Sequence, residues 1–331
     1  MNIKKYFISL LFSFFTLMIQ ASEFPAEMLG DWSLKLESQE AGWISIELKD
    51  QQPSVSMMVN VGSVKPIKGI TIKNKILHVP LRTQRDGGKK GPILFKQRAT
   101  IEWKEGQLQG HVITHYPATK KEEHDAFIGV RIPPMPAQPN LMHIKWGNQK
   151  SLFNGKNLDG WRLRRPEKIN GWSVEKGLLV NSTPKTDFSA TGAYGNLRTN
   201  SVFKDFKLNI EFLVEKNCNS GIYIRGLYEA QVVDRDSRMQ GLQGIGSIFA
   251  RIERSENAAY EGGTWQDYEI TLYKRHLTVL LNGVKVIDNH PVKGPTPGAM
   301  HTNPMTAGPI YLQGDHTSVK YRHIILTPIL E

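Results

Sequence analysis

The chain has 331 residues, 42 of them Lys or Arg against 31 Asp or Glu, for a formal charge of +11. Its basic residues come in short pieces such as GGKKG, TKKEE and RLRRPEK, mixed with acids and prolines. That pattern excludes the concentrated stripe of a nucleic-acid reader and is read as surface character. A single cysteine, Cys218, excludes an intramolecular disulfide.

Taken in chain order, residues 1–21 read as a secretory signal. Lys4 and Lys5 precede the apolar run YFISLLFSFFTLMI, and IQA stands before a cut between Ala21 and Ser22. The expectation is export, to the periplasm or the extracellular space, with no stable membrane insertion after cleavage. No cysteine follows the run to carry a lipid anchor, and no later segment is long and apolar enough to span a bilayer.

Helical periodicity is nearly absent from the rest, while short alternating runs recur. Residues 22–132 hold WSLKLE, WISIELK, SVSMMVNV, IKGITIK, ILHVPLR, RATIEWK, LQGHVITHY and AFIGVRI, separated by turn-like pieces such as DGGKKGP and EG. This predicts a small antiparallel β-barrel or sandwich, and the opening Gly30-Asp31-Trp32 is like the start of a lipocalin-like barrel. The stretch IPPMPAQPN then removes backbone donors and resists regular structure. It sets a Pro-rich linker over 133–148 and a second domain over 149–331. The strands of that domain include FKLNIEFLVE, NSGIYIRGLYEAQVVD, WQDYEITLYK, HLTVLLNGVKVIDN and VKYRHIILTPI. Their number and length favour a two-sheet jelly roll. The Gly-rich GLQGIG has no strand-to-helix context, so it is read as a loop and not as a phosphate cradle.

Within NSGIYIRGLYEAQVVD, extended alternation places Ile222 and Ile224 on one face and Tyr223 and Arg225 on the other. After the break at Gly226-Leu227, Tyr228, Ala230 and Val232 oppose Glu229 and Gln231. KLNIEFLVE sets Asn209 and Glu211 against an apolar face, and PIYLQGD sets Tyr311, Gln313 and Asp315 against Ile310 and Leu312. If the three segments share a sheet, their polar residues line one concave surface. Tyrosine rings, amides and guanidinium donors there suit sugar faces and hydroxyls. A solvated strand face has the same alternation.

Several of these pieces occur together in one family. LFNGKNLDGW, WSVEKGLL, FKLNIEF, NSGIYIRG followed by YE, Gln231 and Asp234, TWQDYEI, LTVLLNGVKVIDN and GPIYLQGDH with VKYRHI form a series. Over nearly all of Ser151 to Pro328 it resembles the 3-keto-disaccharide hydrolase family, also described as 3-keto-glucoside 1,2-lyases and 2-hydroxy-glucal hydratases. Where that family often has Asp-His-Gly near its end, this chain has GDHTS, keeping Asp315 and His316. The resemblance implies an all-β, concanavalin A-like jelly roll acting on an oxidised sugar. It is silent on Trp32 to Ile132.

A 3-keto sugar needs a base for C2–H, a donor facing the enolate oxygen and an acid for the leaving group. The resemblance points to Arg225, Glu229 and His316 as catalytic residues. Glu229 or His316 would be base or acid, and Arg225 the enolate partner. Glu211, Tyr223, Gln231, Gln313 and Asp315 would hold substrate, with Glu211 alternatively fixing Arg225. Asp234 with Asp236 could give oxygen ligands to a calcium ion, and Asp315 with His316 could contact a divalent ion. With no closely spaced His pair, no metal or other cofactor is expected. The competing class is a non-catalytic carbohydrate-binding jelly roll. Linkage, anomer and oligomeric state leave no trace in the sequence.

Overall fold

The computed structural model of the protein describes residues 24–60, 65–86, 91–184 and 190–330, so the signal segment 1–21 lies outside the described residues. Among them the regular structure is almost entirely strand, with three short 3-10 turns. The chain divides into two compact units, 1–134 and 135–331.

The first unit is one eight-stranded antiparallel sheet. Its first strand, Gly30–Leu36, pairs with both the second, Ala41–Lys49, and the last, Lys121–Ile132. Alternating residues such as Trp32, Leu34, Ile44, Ile46, Val79 and Ile101 build its core. The sheet curls until the third strand, Gln52–Val59, comes against the fifth, Ile76–Arg85. The third strand and the fourth, Thr71–Lys73, nevertheless remain the two ends of the ladder. A backbone bond from Ile67 N to Val55 O lies at that seam. Pro66, just before it, has no N–H to add to a ladder. The small antiparallel barrel or sandwich expected from sequence takes the form of a curled sheet with an open seam.

The second unit packs a nine-stranded sheet on a five-stranded one, with one apolar core between them. In the larger sheet, Phe206–Leu213 lies between Gln266–Tyr273 and Val319–Leu330. It sends Phe206, Leu208, Ile210 and Phe212 inward, all essentially inaccessible. The smaller sheet runs in the order Trp161–Leu163, Leu197–Thr199, Tyr311–Leu312, Asn219–Ile224, Tyr228–Val233. Leu197, Leu312, Ile222, Ile224, Ala230 and Val232 are its inward residues. Arg225 and Gly226, with left-handed φ of 59° and 65°, make the turn in the three-residue connection 225–227 between its last two strands, closed by Leu227 N donating to Ile224 O.

The proline-rich segment is shorter as a linker than 133–148. Asn289 Nδ2 donates to Pro139 O, and Trp146 pairs with Ile329, so those residues already belong to the second unit. A fragment 135–331 is expected to be soluble and to unfold in one cooperative step. A circular-dichroism melt of the fragment checks this, and a flat melt would show that it needs residues 1–134.

Candidate active site

The smaller sheet turns its other face away from the core, and strand register sets the side chains there in rows. Arg162 is paired with Arg198, Arg198 with Tyr311, Tyr311 with Tyr223, and Tyr223 with Glu229. One row therefore crosses all five strands, from two guanidinium groups through two stacked tyrosines to a carboxyl. The tyrosine rings lie 4.3 Å apart at 21°. Beside this row, Gln313 N donates to Gly221 O, and Gly221 pairs with Gln231. The Oε1 atoms of Gln231 and Gln313 are buried without a partner. Buried carbonyl oxygens in that state are acceptors ready for hydroxyl donors.

Glu229 folds back over Gly221. A Cβ at position 221 would run into the Glu229 carboxyl, so glycine is what allows the carboxyl to lie there. Glu229 is 4% exposed and Tyr223 1%. The Tyr223 hydroxyl sits 2.9 Å from Glu229 Oε2 and 2.8 Å from Pro297 O. One hydroxyl proton cannot serve two acceptors at once. The hydroxyl donates to Glu229 Oε2 when that carboxyl is ionised, and can turn to Pro297 O when Glu229 carries a proton. Burial pushes the Glu229 carboxyl up to about 8; the bond with Tyr223 opposes this and the nearby charge of Asp315 adds to it. Burial, with Glu229 next, also holds the Tyr223 phenol well above its ordinary value, so it stays a donor.

A loop closes over these groups. Glu229 N and Leu227 O bind the Thr296 hydroxyl, and Arg164 donates from Nη1 to Gly298 O and from Nη2 to Ala299 O. Gly298 has φ of 81° and lies so close to the Tyr223 hydroxyl that a Cβ would stand 2.5 Å from it. On the other side, Asn196 Oδ1 accepts from Gly314 N and Asp315 N while its Nδ2 donates to the Tyr311 hydroxyl. This fixes the turn that presents Asp315 and His316, joined through Oδ1 and Nδ1 at 2.6 Å.

Tyr223, Glu229, Gln231, Gln313, Asp315 and His316 are thus brought together as expected from sequence. Two residues are not. Arg225 occupies the hairpin turn, 2% exposed, with Nη1 donating to Lys204 O, Nη2 to Pro304 O at 2.5 Å, and Asp205 Oδ1 3.4 Å from Nη1. The left-handed turn breaks the strand alternation on which its placement beside Tyr223 rested, and its guanidinium ties loops together. Glu211 belongs to the nine-stranded sheet, because FKLNIEFL pairs with Gln266–Tyr273 and Val319–Leu330 and not with the site strands. Its carboxylate accepts from Arg322 Nε at 2.6 Å and meets His323 Nδ1 at 2.5 Å. Burial works against ionisation there, but the bonds from His323 and Arg322 outweigh it and leave the pKa lowered. Neither residue is in position to bind or stabilise a sugar on the smaller sheet.

Arg225→Lys is accordingly expected to lower stability by about 2 kcal/mol, the scale of a lost charged hydrogen bond. Turnover per folded molecule should stay close to wild type. Denaturant unfolding with activity corrected for folded fraction tests this, and a selective loss of rate would return Arg225 to the site.

Sequence reasoning missed Arg162, Arg164, Arg198 and Asn196. In sequence RLRR has the look of ordinary surface charge, although Trp161 and Leu163 are the inward partners whose alternation places Arg162 and Arg164 on the site face.

Comparison with known proteins gives three kinds of match. The profile of the 3-keto-alpha-glucoside-1,2-lyase-like domain matches residues 148–327. A 3-keto-disaccharide hydrolase of Bacteroides thetaiotaomicron is 25% identical over 167 residues, spanning 42% of this chain and 58% of that protein. The chain thus spans little more than half the length of that relative. Among solved structures, two candidate glycosyl hydrolases of Parabacteroides distasonis align at 18% and 26% identity, with TM-scores of 0.45 and 0.44. They cover 55% and 60% of this chain and 94% and 93% of their own. The profile match takes in more than half of the residues, and the chain belongs to the 3-keto-alpha-glucoside-1,2-lyase-like domain family.

Proposed function

We propose that the protein is an exported enzyme that cleaves 3-keto-glycosides by β-elimination followed by hydration. The observation that carries this reading is the buried Glu229 carboxyl, held over Gly221 against the Tyr223 hydroxyl on a sheet face rich in sugar-binding groups.

A ketone at C3 acidifies the C2 hydrogen. Glu229, whose burial makes its carboxylate an unusually strong base, takes that proton, and the C2–H electrons move into the C2–C3 bond and onto the ketone oxygen. Tyr223 is the donor next to Glu229 and stabilises the resulting enolate. When the electrons return, the bond from C1 to the leaving oxygen breaks and a 2-hydroxy-3-keto-glucal forms. His316, oriented by Asp315, delivers a proton to the leaving oxygen. Water then adds, its hydroxyl at C1 and its proton at C2, giving the free 3-keto sugar. The partnerless oxygens of Gln231 and Gln313 accept sugar hydroxyls. An N-terminal signal in residues 1–21 accounts for export.

The test is incubation with a 3-keto-glucoside and with its unoxidised parent, following the glucal by ultraviolet absorbance. Only the keto compound should be consumed. Equal hydrolysis of the parent would point to a conventional two-carboxylate glycosidase. Binding of both without consumption would make the protein a sugar-binding module.

A further inference from the structure

The arginine end of the row has no role in the elimination chemistry. Arg162 and Arg198 are direct cross-strand partners, an arrangement in which like charges repel. Arg164 joins them, its guanidinium carbon 5.4 Å from the centre of the Tyr311 ring. None of the three meets a carboxylate among the described residues. Arg162 Nη1 donates to Asn200 Oδ1, Arg164 to two loop carbonyls, and Arg198 Nε to Thr199 O. The nearby Asp315 carboxylate is taken by His316. Arg322, by contrast, holds Glu211, and Arg225 approaches Asp205.

Burial, followed by the charges of Arg162 and Arg164, lowers the Arg198 pKa, as expected of a cation packed among cations. Such a cluster is destabilising by itself and becomes favourable when an anion fills it. Guanidinium forks match carboxylate and sulfate or phosphate oxygens.

Building on the reaction proposed above, we infer that the substrate carries an anionic group, a carboxylate or a sulfate-like ester, bound by Arg162, Arg164 and Arg198. The row also says where on the substrate that group lies. Glu229 and Arg198 are separated by three strand spacings, roughly 14 Å between backbones. The stacked Tyr223 and Tyr311 rings fill the interval. With C2 of the keto sugar at Glu229, the anion falls beyond the reacting ring, on the leaving group attached at C1.

The experiment measures affinity, so that it does not depend on turnover. The full-length protein carrying Glu229→Gln is titrated calorimetrically with phenyl, 4-carboxyphenyl and 4-sulfophenyl 3-keto-glucosides, in both anomers. The charged ligands should bind about 10- to 100-fold tighter than the neutral one, the range of one or two charge-assisted hydrogen bonds. Carboxylate against sulfonate preference distinguishes a uronate-like from a sulfate-like leaving group. Adding Arg162→Gln and Arg198→Gln should erase the preference while leaving neutral affinity in place. Equal affinities in the parent, or a preference that survives both arginine substitutions, would overturn the inference. Failure of the wild-type protein to cleave any of the three, with the preference intact, would instead remove the elimination reading and leave the anion site standing.

Discussion

Glu229→Gln is expected to abolish nearly all turnover of a 3-keto-glucoside while leaving the circular-dichroism spectrum unchanged. A positioned proton carrier contributes on the order of 100- to 10,000-fold in rate. Gln keeps the shape and the contact to Tyr223 but cannot accept the C2 proton. Solvent deuterium exchange at C2 should fall in parallel with turnover. The same group sets the pH profile of the wild type. Because Glu229 must be ionised to act as base, kcat/KM should climb with pH and level off above about 8. A fall through that range would make Glu229 the leaving-group acid, and wild-type rates in Glu229→Gln would remove it from the chemistry.

The substitution also has a stability signature. The folded-state pKa of Glu229 is raised above that of the unfolded chain, so this group's contribution is fully present below about 4.5. It declines as pH rises towards 8, because the unfolded chain has already released its proton. Wild-type stability should therefore drop across that window, and Glu229→Gln should not share this component. The difference between the two, read from denaturant midpoints at pH 5 and pH 8.5, is expected to be on the order of a few kcal/mol.

The second large effect is expected at a residue with no functional group. Gly221→Ala adds one methyl directly beneath the Glu229 carboxyl. Gly221 is not among the residues with positive φ, so the backbone accepts alanine and the strain falls on the carboxyl. Tyr223, Thr296 and the covering loop leave Glu229 little room to retreat, and an overpacked site of this kind costs about 1–3 kcal/mol of stability. Displacing a catalytic group by an ångström removes on the order of 100-fold in rate. Alanine at 221 with full activity would mean that the carboxyl position seen here is not the working one.

Much of this site was legible because strands alternate. Ile222 inward and Tyr223 outward, or Ala230 inward and Glu229 with Gln231 outward, follow from period two alone, and the structure keeps that order. Alternation fails where the chain turns. Arg225 stands one residue beyond a run whose alternation it continues in sequence, and a left-handed φ sends its side chain to Lys204 and Pro304. Alternation is also blind to partnership. Glu211 follows the same pattern in FKLNIEFL, yet hydrogen bonding between strands assigns it to the opposite sheet. The arginine cluster was hidden for a third reason. Arg162 and Arg198 are far apart in sequence and meet only through cross-strand register, so RLRR taken alone resembles any solvated basic patch.

The loop from Thr296 to Met300 couples access to chemistry. With Glu229 and Tyr223 almost wholly covered, the proposed reaction requires that loop to lift before a sugar reaches either group. The latch that holds it includes the Tyr223 proton given to Pro297 O, and the same proton is the one an enolate oxygen would take. Ligand and latch compete for a single hydrogen. A substrate that engaged Tyr223 in the proposed reaction would therefore weaken the bond that ties the covering loop to the site.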